Sequence, residues 1–294
     1  MFNYIEPVFR PPSEGKSFIL QVSNGCSWNN CTFCDMYTQP QKKFRPREEE
    51  YIIEELQKAS TLGPRFEKVF LADGDAMTLS IRRLTRILEL IKEYLPWVKR
   101  VGAYCLPRNV SKKSVDDLIK LRELGLGIVY VGAESGDDEV LNFINKGETF
   151  QSTLDALLKC KEAGITTSVM ILNGMGGVAY SEQHAINSAR LMNAAQPDFL
   201  STLIVSYPLG DQRVKDGFNG NYELPSQAEL FKELRLLISH LELENTIFRS
   251  DHASNYLPLK GTLGADKAKF LEQLDTVINT PGRIPLRQEW QRGL

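Results

Sequence analysis

The sequence predicts an α/β fold built on a parallel sheet, either open and doubly wound or curved into a partial barrel. Six strand-like segments alternate with helical ones, at spacings of roughly 30 to 50 residues that suit right-handed βαβ crossovers. The first of them, Ser17-Phe18-Ile19-Leu20-Gln21-Val22, is a near-continuous apolar run, as a parallel strand covered on both faces requires. With 294 residues, 42% of them hydrophobic, the chain can fill one large core or two modest ones.

The elements follow in order. Residues 1–16, with Pro7, Pro11 and Pro12, cannot hold a useful helix and predict an extended arm. The first strand and a cysteine-bearing loop lead to a helix from Arg47 to Leu62 with Ile52, Ile53 and Leu56 on one face. Strand Lys68–Ala72 precedes a helix from Leu79 to Tyr94, and strand Val98–Cys105 one from Lys112 to Glu123. Strand Gly127–Gly132 precedes helical stretches to Ala163, broken near Gly147. Strand Thr166–Leu172 precedes a helix from Ser181 to Ala195, and strand Phe199–Ser206 is expected to close the series. The Asp-, Asn- and Gly-rich run to Asn221 marks the end of the core. Beyond it a helix from Gln227 to Leu241, a strand-like Thr246–Phe248 and a helix from Ala265 to Ile278 are expected.

A net charge of −2 gives no general attraction to nucleic acid or anionic membrane. No apolar run approaches the roughly 20 residues of a spanning helix, and the polar, proline-bearing start does not resemble a signal peptide. A cytoplasmic protein is expected, with no membrane partner and nucleic acid not favoured. Five cysteines, three of them clustered, do not make a disulfide framework.

The cluster is Cys26-Ser27-Trp28-Asn29-Asn30-Cys31-Thr32-Phe33-Cys34. Three thiolates spaced C-x4-C-x2-C can hold three irons of a [4Fe–4S] cluster and leave the fourth open to a small molecule. Zinc is the alternative, and it would need a fourth ligand from His184, His240 or His252. The turns after the strands add polar and small groups. Asp73-Gly74-Asp75 offers two carboxylates for a cationic amine, or a turn before the next helix. Glu134-Ser135-Gly136-Asp137 offers a carboxylate for hydroxyls, or a helix cap. Gly174, Gly176, Gly177 and Ala179 satisfy a dinucleotide-type glycine pattern, but the unit is fifth in the series and its helix starts later.

The cysteine loop, with Phe33 just before Cys34, resembles that of the radical S-adenosylmethionine superfamily, whose usual spacing is one residue shorter between the first two cysteines. The resemblance covers residues 17 to 210 and implies a partial (β/α)6 TIM-type barrel, followed by an α+β extension over residues 211–294 that covers its opening. It implies Cys26, Cys31 and Cys34 as metal ligands and Phe33 beside the cluster. For S-adenosylmethionine it implies Asp73, Gly74 and Asp75 at the amino group, Arg108 at the carboxylate, Glu134 at the ribose, and Gly174 and Gly176 at the adenine. The reaction implied is reductive cleavage of S-adenosylmethionine to a 5′-deoxyadenosyl radical that takes hydrogen from a substrate, expected to be a small molecule. An electron donor such as flavodoxin or ferredoxin is implied as partner. The alternatives are an RNA- or protein-modifying enzyme, which a basic patch with Arg283, Arg287 and Arg292 would favour, and a non-catalytic iron–sulfur protein for electron transfer or sensing. Cys105 and His252 are candidate catalytic groups, His252 within the polar segment Arg249–Tyr256; Cys160 is expected in the core.

Overall fold

The computed structural model describes residues 2–293. The chain forms two compact units, the first from residues up to 29, 34–131 and 155–167, the second from 30–33, 132–154 and residues from 168 onward.

In the first unit β1 (Phe18–Gln21), β4 (Lys68–Ala72), β5 (Arg100–Cys105) and β6 (Leu126–Glu134, to Val131 in this unit) pair in that order, all parallel. Two short antiparallel strands, β2 (Ser23–Asn24) and β3 (Arg45–Pro46), bracket the cysteine loop in sequence. Helix α1 (Glu49–Ser60) packs on β1, α2 (Ile81–Tyr94) packs on α1, and α4 (Val115–Glu123) packs on α2. Helix α4 begins at a capping box in which Ser114 and Asp117 satisfy each other's amides. A short α3 (Pro107–Ser111) precedes it; proline at its first position hid this turn, since only an N-terminal turn tolerates one. The arm is extended apart from a 3-10 turn at Pro12–Glu14. It lies along β1, with Ile5 exchanging two hydrogen bonds with the Gln21 side chain and buried Glu14 bonded to Arg100 and Tyr130.

The second unit holds α5 (Asp138–Phe143), part of α6 (Phe150–Glu162) and most of β7 (Thr166–Asn173). After α7 (Ser181–Ala195), strand β8 (Phe199–Ile204) pairs parallel to β7. The series does not close there. Ile247–Ser250 forms β9, parallel to β8, and Leu259–Thr262 forms β10, antiparallel to β9 at the edge. Leu200 and Phe248 are neighbours in that register and fully buried, so apolar cover carries the sheet on. The Asp- and Gly-rich run also contains a helix, α8 (Gln212–Gly217), whose Val214 is buried against Phe218 and Tyr222. Helices α9 (Gln227–His240) and α10 (Lys267–Asn279) pack on each other, and α9 also packs on α7.

Candidate active site

In the first unit the turn after β4 is built against the cysteine loop. A Cβ on Gly74 would lie 2.9 Å from the Cys26 Cβ and 2.8 Å from the Tyr37 ring, so only glycine lets the two segments approach. The Gly74 amide donates to the Gly25 carbonyl at 3.1 Å. Asp73 is fully buried, and its Oδ2 accepts from Lys42, from Gln21 at 3.2 Å and from the Gly25 amide at 3.1 Å. Asp75 accepts from the Ser27 amide at 3.1 Å, from the Ser27 hydroxyl and from Asn109 at 3.3 Å. Burial raises the Asp75 carboxyl above its ordinary range while these donors pull it back. Burial, then the Asp75 charge, also raises the Cys26 thiol. Arg108 stacks over Trp28 of the loop, 4.0 Å from the ring centroid. Asn29 takes the left-handed conformation (φ 44°) in the longer interval between Cys26 and Cys31, and its side chain holds the Tyr37 carbonyl at 2.9 Å.

In the second unit the middle of the loop has its own supports. The Thr32 amide donates to the Ile144 carbonyl at 3.0 Å, and Asn145 to the Asn30 carbonyl at 3.1 Å. Arg213 of α8 donates to the Cys31 carbonyl at 2.7 Å. Glu134 ends β6 with φ 64°, a conformation a non-glycine residue adopts at a cost of about 1–3 kcal/mol, and such strain gathers at functional sites. Its Oε1 accepts from Lys146 at 2.8 Å; its Oε2 is buried without a hydrogen-bond partner. The Lys146 ammonium stands 5.9 Å over the half-buried Phe33 ring.

Behind Glu134, Ser135 bonds His184 Nδ1 at 2.8 Å, and Asp137 caps α5 through the Val140 amide at 2.9 Å. The buried Glu233 lies 3.7 Å from His184 Nε2. It accepts from the Gly174 amide and the Ser181 hydroxyl, each at 2.6 Å. Burial raises the Glu233 carboxyl. The Gly174 carbonyl takes the Tyr222 hydroxyl at 3.0 Å. Gly176 lies against the Tyr180 carbonyl, so the backbone of this glycine turn is closely approached by the chain itself.

None of the five cysteines is in a disulfide. Among the described residues no three His, Cys, Asp or Glu side chains converge as a preformed metal site. Neutral thiols have no reason to converge, because metal binding and thiol deprotonation are one coupled step. Cys105 is buried at the end of β5 with its thiol 3.3 Å from the Leu106 carbonyl, and Cys160 is buried in α6. His252 bonds Ser254 at 3.0 Å, and burial, then Arg287, lowers its imidazole. Arg287 is tied to the carbonyls of Asn255 at 3.0 Å and Asp251 at 3.1 Å. Arg292 is tied to that of Ser254 at 2.8 Å and stacks on Tyr256. Arg287 and Arg292, two of the three arginines whose patch would favour the RNA- or protein-modifying alternative, therefore hold down the polar segment.

Sequence reasoning missed Lys42, Ser27, Asn109, Lys146, Arg213 and Glu233. Lys146 had a signal, since it sits in the turn where the helix was expected to break. Lys42 in Gln39-Pro40-Gln41-Lys42-Lys43 had none, because a buried lysine there reads as a solvated one.

Residues 20–189 match the model of the Radical SAM superfamily, and the chain belongs to it. With the family come its cofactors, a [4Fe–4S] cluster and S-adenosylmethionine. The chain is 29% identical over 210 residues to an uncharacterized methyltransferase, PH0819, of Pyrococcus horikoshii, covering 69% of this chain and 42% of that protein. Among solved structures it is similar to methylornithine synthase (PylB), with TM-score 0.53, 19% identity and coverage of 92% of this chain and 74% of the other. It is also similar to TsrM of Kitasatospora setae, a radical S-adenosylmethionine methyltransferase solved with cobalamin and a [4Fe–4S] cluster bound. There the TM-score is 0.52 and the identity 22%, over 64% of this chain and 36% of that one. At these identities the structures establish the shared fold alone, α/β with a mostly parallel sheet. The donor chemistry fits the family's cofactors: three cysteines outside any disulfide on a loop held by hydrogen bonds within each unit, and a buried carboxylate oxygen of Glu134 left without a donor.

Proposed function

We propose that the protein is an enzyme that uses the cluster and S-adenosylmethionine to take hydrogen from a small-molecule substrate. When bound and reduced, these cofactors supply carbon–sulfur cleavage to a 5′-deoxyadenosyl radical, the abstracting species. Cys26, Cys31 and Cys34 would hold the cluster, beside Phe33. Asp73, Gly74 and Asp75 fix the loop against β4 and keep water from its inner side. The Gly74 turn and Arg108 would meet the methionyl end, Glu134 the ribose hydroxyls, and the Gly174–Gly176 turn the adenine. The observation that carries this reading is Glu134: strained, buried and with one oxygen unused, it suits two adjacent hydroxyl donors. An electron donor of the flavodoxin or ferredoxin kind and a cytoplasmic setting complete the reading. Among the described residues no helix is long and apolar enough to cross a membrane.

The test is 5′-deoxyadenosine formation by anaerobically reconstituted protein given S-adenosylmethionine and a strong reductant. A variant lacking Cys26, Cys31 and Cys34 runs beside it. Product from the intact protein alone upholds the reading. A full, reducible cluster that yields no product, with candidate substrates present, favours the electron-transfer or sensor alternative.

A further inference from the structure

The sheet of the second unit has one face on helices; the other packs against the cluster around Val140 and Phe218 at Met170 and Leu203 and is exposed at β9 and β10. Val169, Leu200, Phe248 and Leu259 lie on the covered face, and the Phe248 ring meets Phe270 of α10 with centroids 5.5 Å apart. On the opposite face one cross-strand row runs Met170, Ser201, Arg249, Lys260, since Met170 pairs with Ser201, Ser201 with Arg249 and Arg249 with Lys260. Directly paired residues share a face, with Cβ atoms roughly 5 Å apart. Met170 and Ser201 are half-buried; Arg249 and Lys260 are exposed.

Like charges in direct cross-strand register repel. Among the described residues neither cation has a hydrogen-bond or ion-pair partner. Lys260 taken alone is explained by its place on the edge strand, where a charge deters pairing with another chain. Arg249 is one strand further in and has no such explanation. An anion removes the repulsion. The guanidinium gives a planar fork, the ammonium a point charge and Ser201 a hydroxyl, while Met170 and Leu203 on the same face make an apolar floor beside them.

We propose that Arg249, Lys260 and Ser201 form an anion-binding position for a carboxylate or phosphate group, and that the substrate carries this group. The second part rests on the function proposed above; the first does not.

Inorganic phosphate is titrated into the full chain, with and without its cluster, while the Nε–Hε signals of ¹⁵N-labelled arginine are followed. The Arg249 signal should shift saturably, and K260Q should weaken the binding about tenfold, as loss of one charge-assisted contact implies. R249Q/K260Q should abolish binding while iron content stays unchanged. A non-saturating drift no larger than chloride produces, or saturable binding that survives the double substitution, overturns the site. A short single-stranded RNA oligonucleotide replaces phosphate in a second arm. Much tighter, steeply salt-dependent binding lost in the double variant would assign the phosphate to a nucleic-acid backbone; affinity no better than for phosphate would assign it to a small molecule. Failure of phosphate to bind leaves the radical reading intact, and failure to form 5′-deoxyadenosine leaves the anion site intact.

Discussion

Asp75 lies three residues beyond the end of β4 and Glu134 is the last residue of β6, both acids where a parallel strand gives way to a turn, and the chain treats them in opposite ways. Both Asp75 oxygens are used, by the Ser27 amide and hydroxyl and by Asn109. Glu134 has one oxygen on Lys146 and the other on nothing. A buried carboxylate whose acceptors are filled by the chain's own donors is architecture; one held in a strained conformation with an acceptor unfilled is set for a ligand. Asp75 thus acts through the cysteine loop; Asp73 also keeps one buried oxygen, Oδ1, without a donor, and it is the left-handed backbone that singles out Glu134 as the candidate for direct contact with the cofactor.

The sharpest way to break this contrast is at Asp73, whose ion pair with Lys42 is wholly buried. D73N strands the ammonium and should cost about 3–5 kcal/mol, read as a lower melting temperature of the metal-free protein. Adding K42M should recover much of that loss, because replacing both members of a buried pair is far cheaper than removing one. A D73N protein as stable as the parent would show that the turn does not brace the loop. E134Q probes the other side. It should lower S-adenosylmethionine affinity about tenfold in equilibrium dialysis and leave bound iron unchanged. Its stability loss should be smaller than that of D73N, since the Glu134–Lys146 pair keeps 5% exposure on each side whereas the Asp73–Lys42 pair has none. Unchanged affinity would remove Glu134 from the site.

The contrast also marks what was legible in the sequence. The βα rhythm placed α7 at Ser181–Ala195 and β4 at Lys68–Ala72 without error, because apolar runs and helical periodicity are local signals. The strand ends gave up Asp73, Asp75 and Glu134, because ligands in such folds gather at the carboxyl ends of parallel strands. The donors that decide between bracing and binding were not legible. Lys42 reaches Asp73 across 31 residues of chain and Asn109 reaches Asp75 across 34. Strand β9 was expected as a strand-like Thr246–Phe248 but not as a continuation of the parallel sheet, since its partner β8 lies more than 40 residues earlier. The one-residue longer cysteine interval was plain in the sequence, but its accommodation by a left-handed Asn29 is a backbone choice that asparagine permits and does not announce.

The smallest expected effect sharpens the contrast from behind Glu134. Glu233 is an acid whose oxygens are used, by Gly174 and Ser181, yet burial is the dominant influence and raises its carboxyl above the ordinary glutamate range. A carboxyl raised on folding holds a proton that the unfolded chain has already released. In that window the native state binds more protons, so stability is fully present below the unfolded value and is lost as pH rises through the folded one. Urea unfolding of the metal-free protein from about pH 4 to about pH 8 should show this decline, and E233Q should flatten it. If the slope instead survives in E233Q, the hydrogen bonds from Gly174 and Ser181 outweigh burial. Glu233 would then be a carboxylate stabilised as an anion, as fully braced as Asp75, and Glu134 would remain the acid left open on that side of the site.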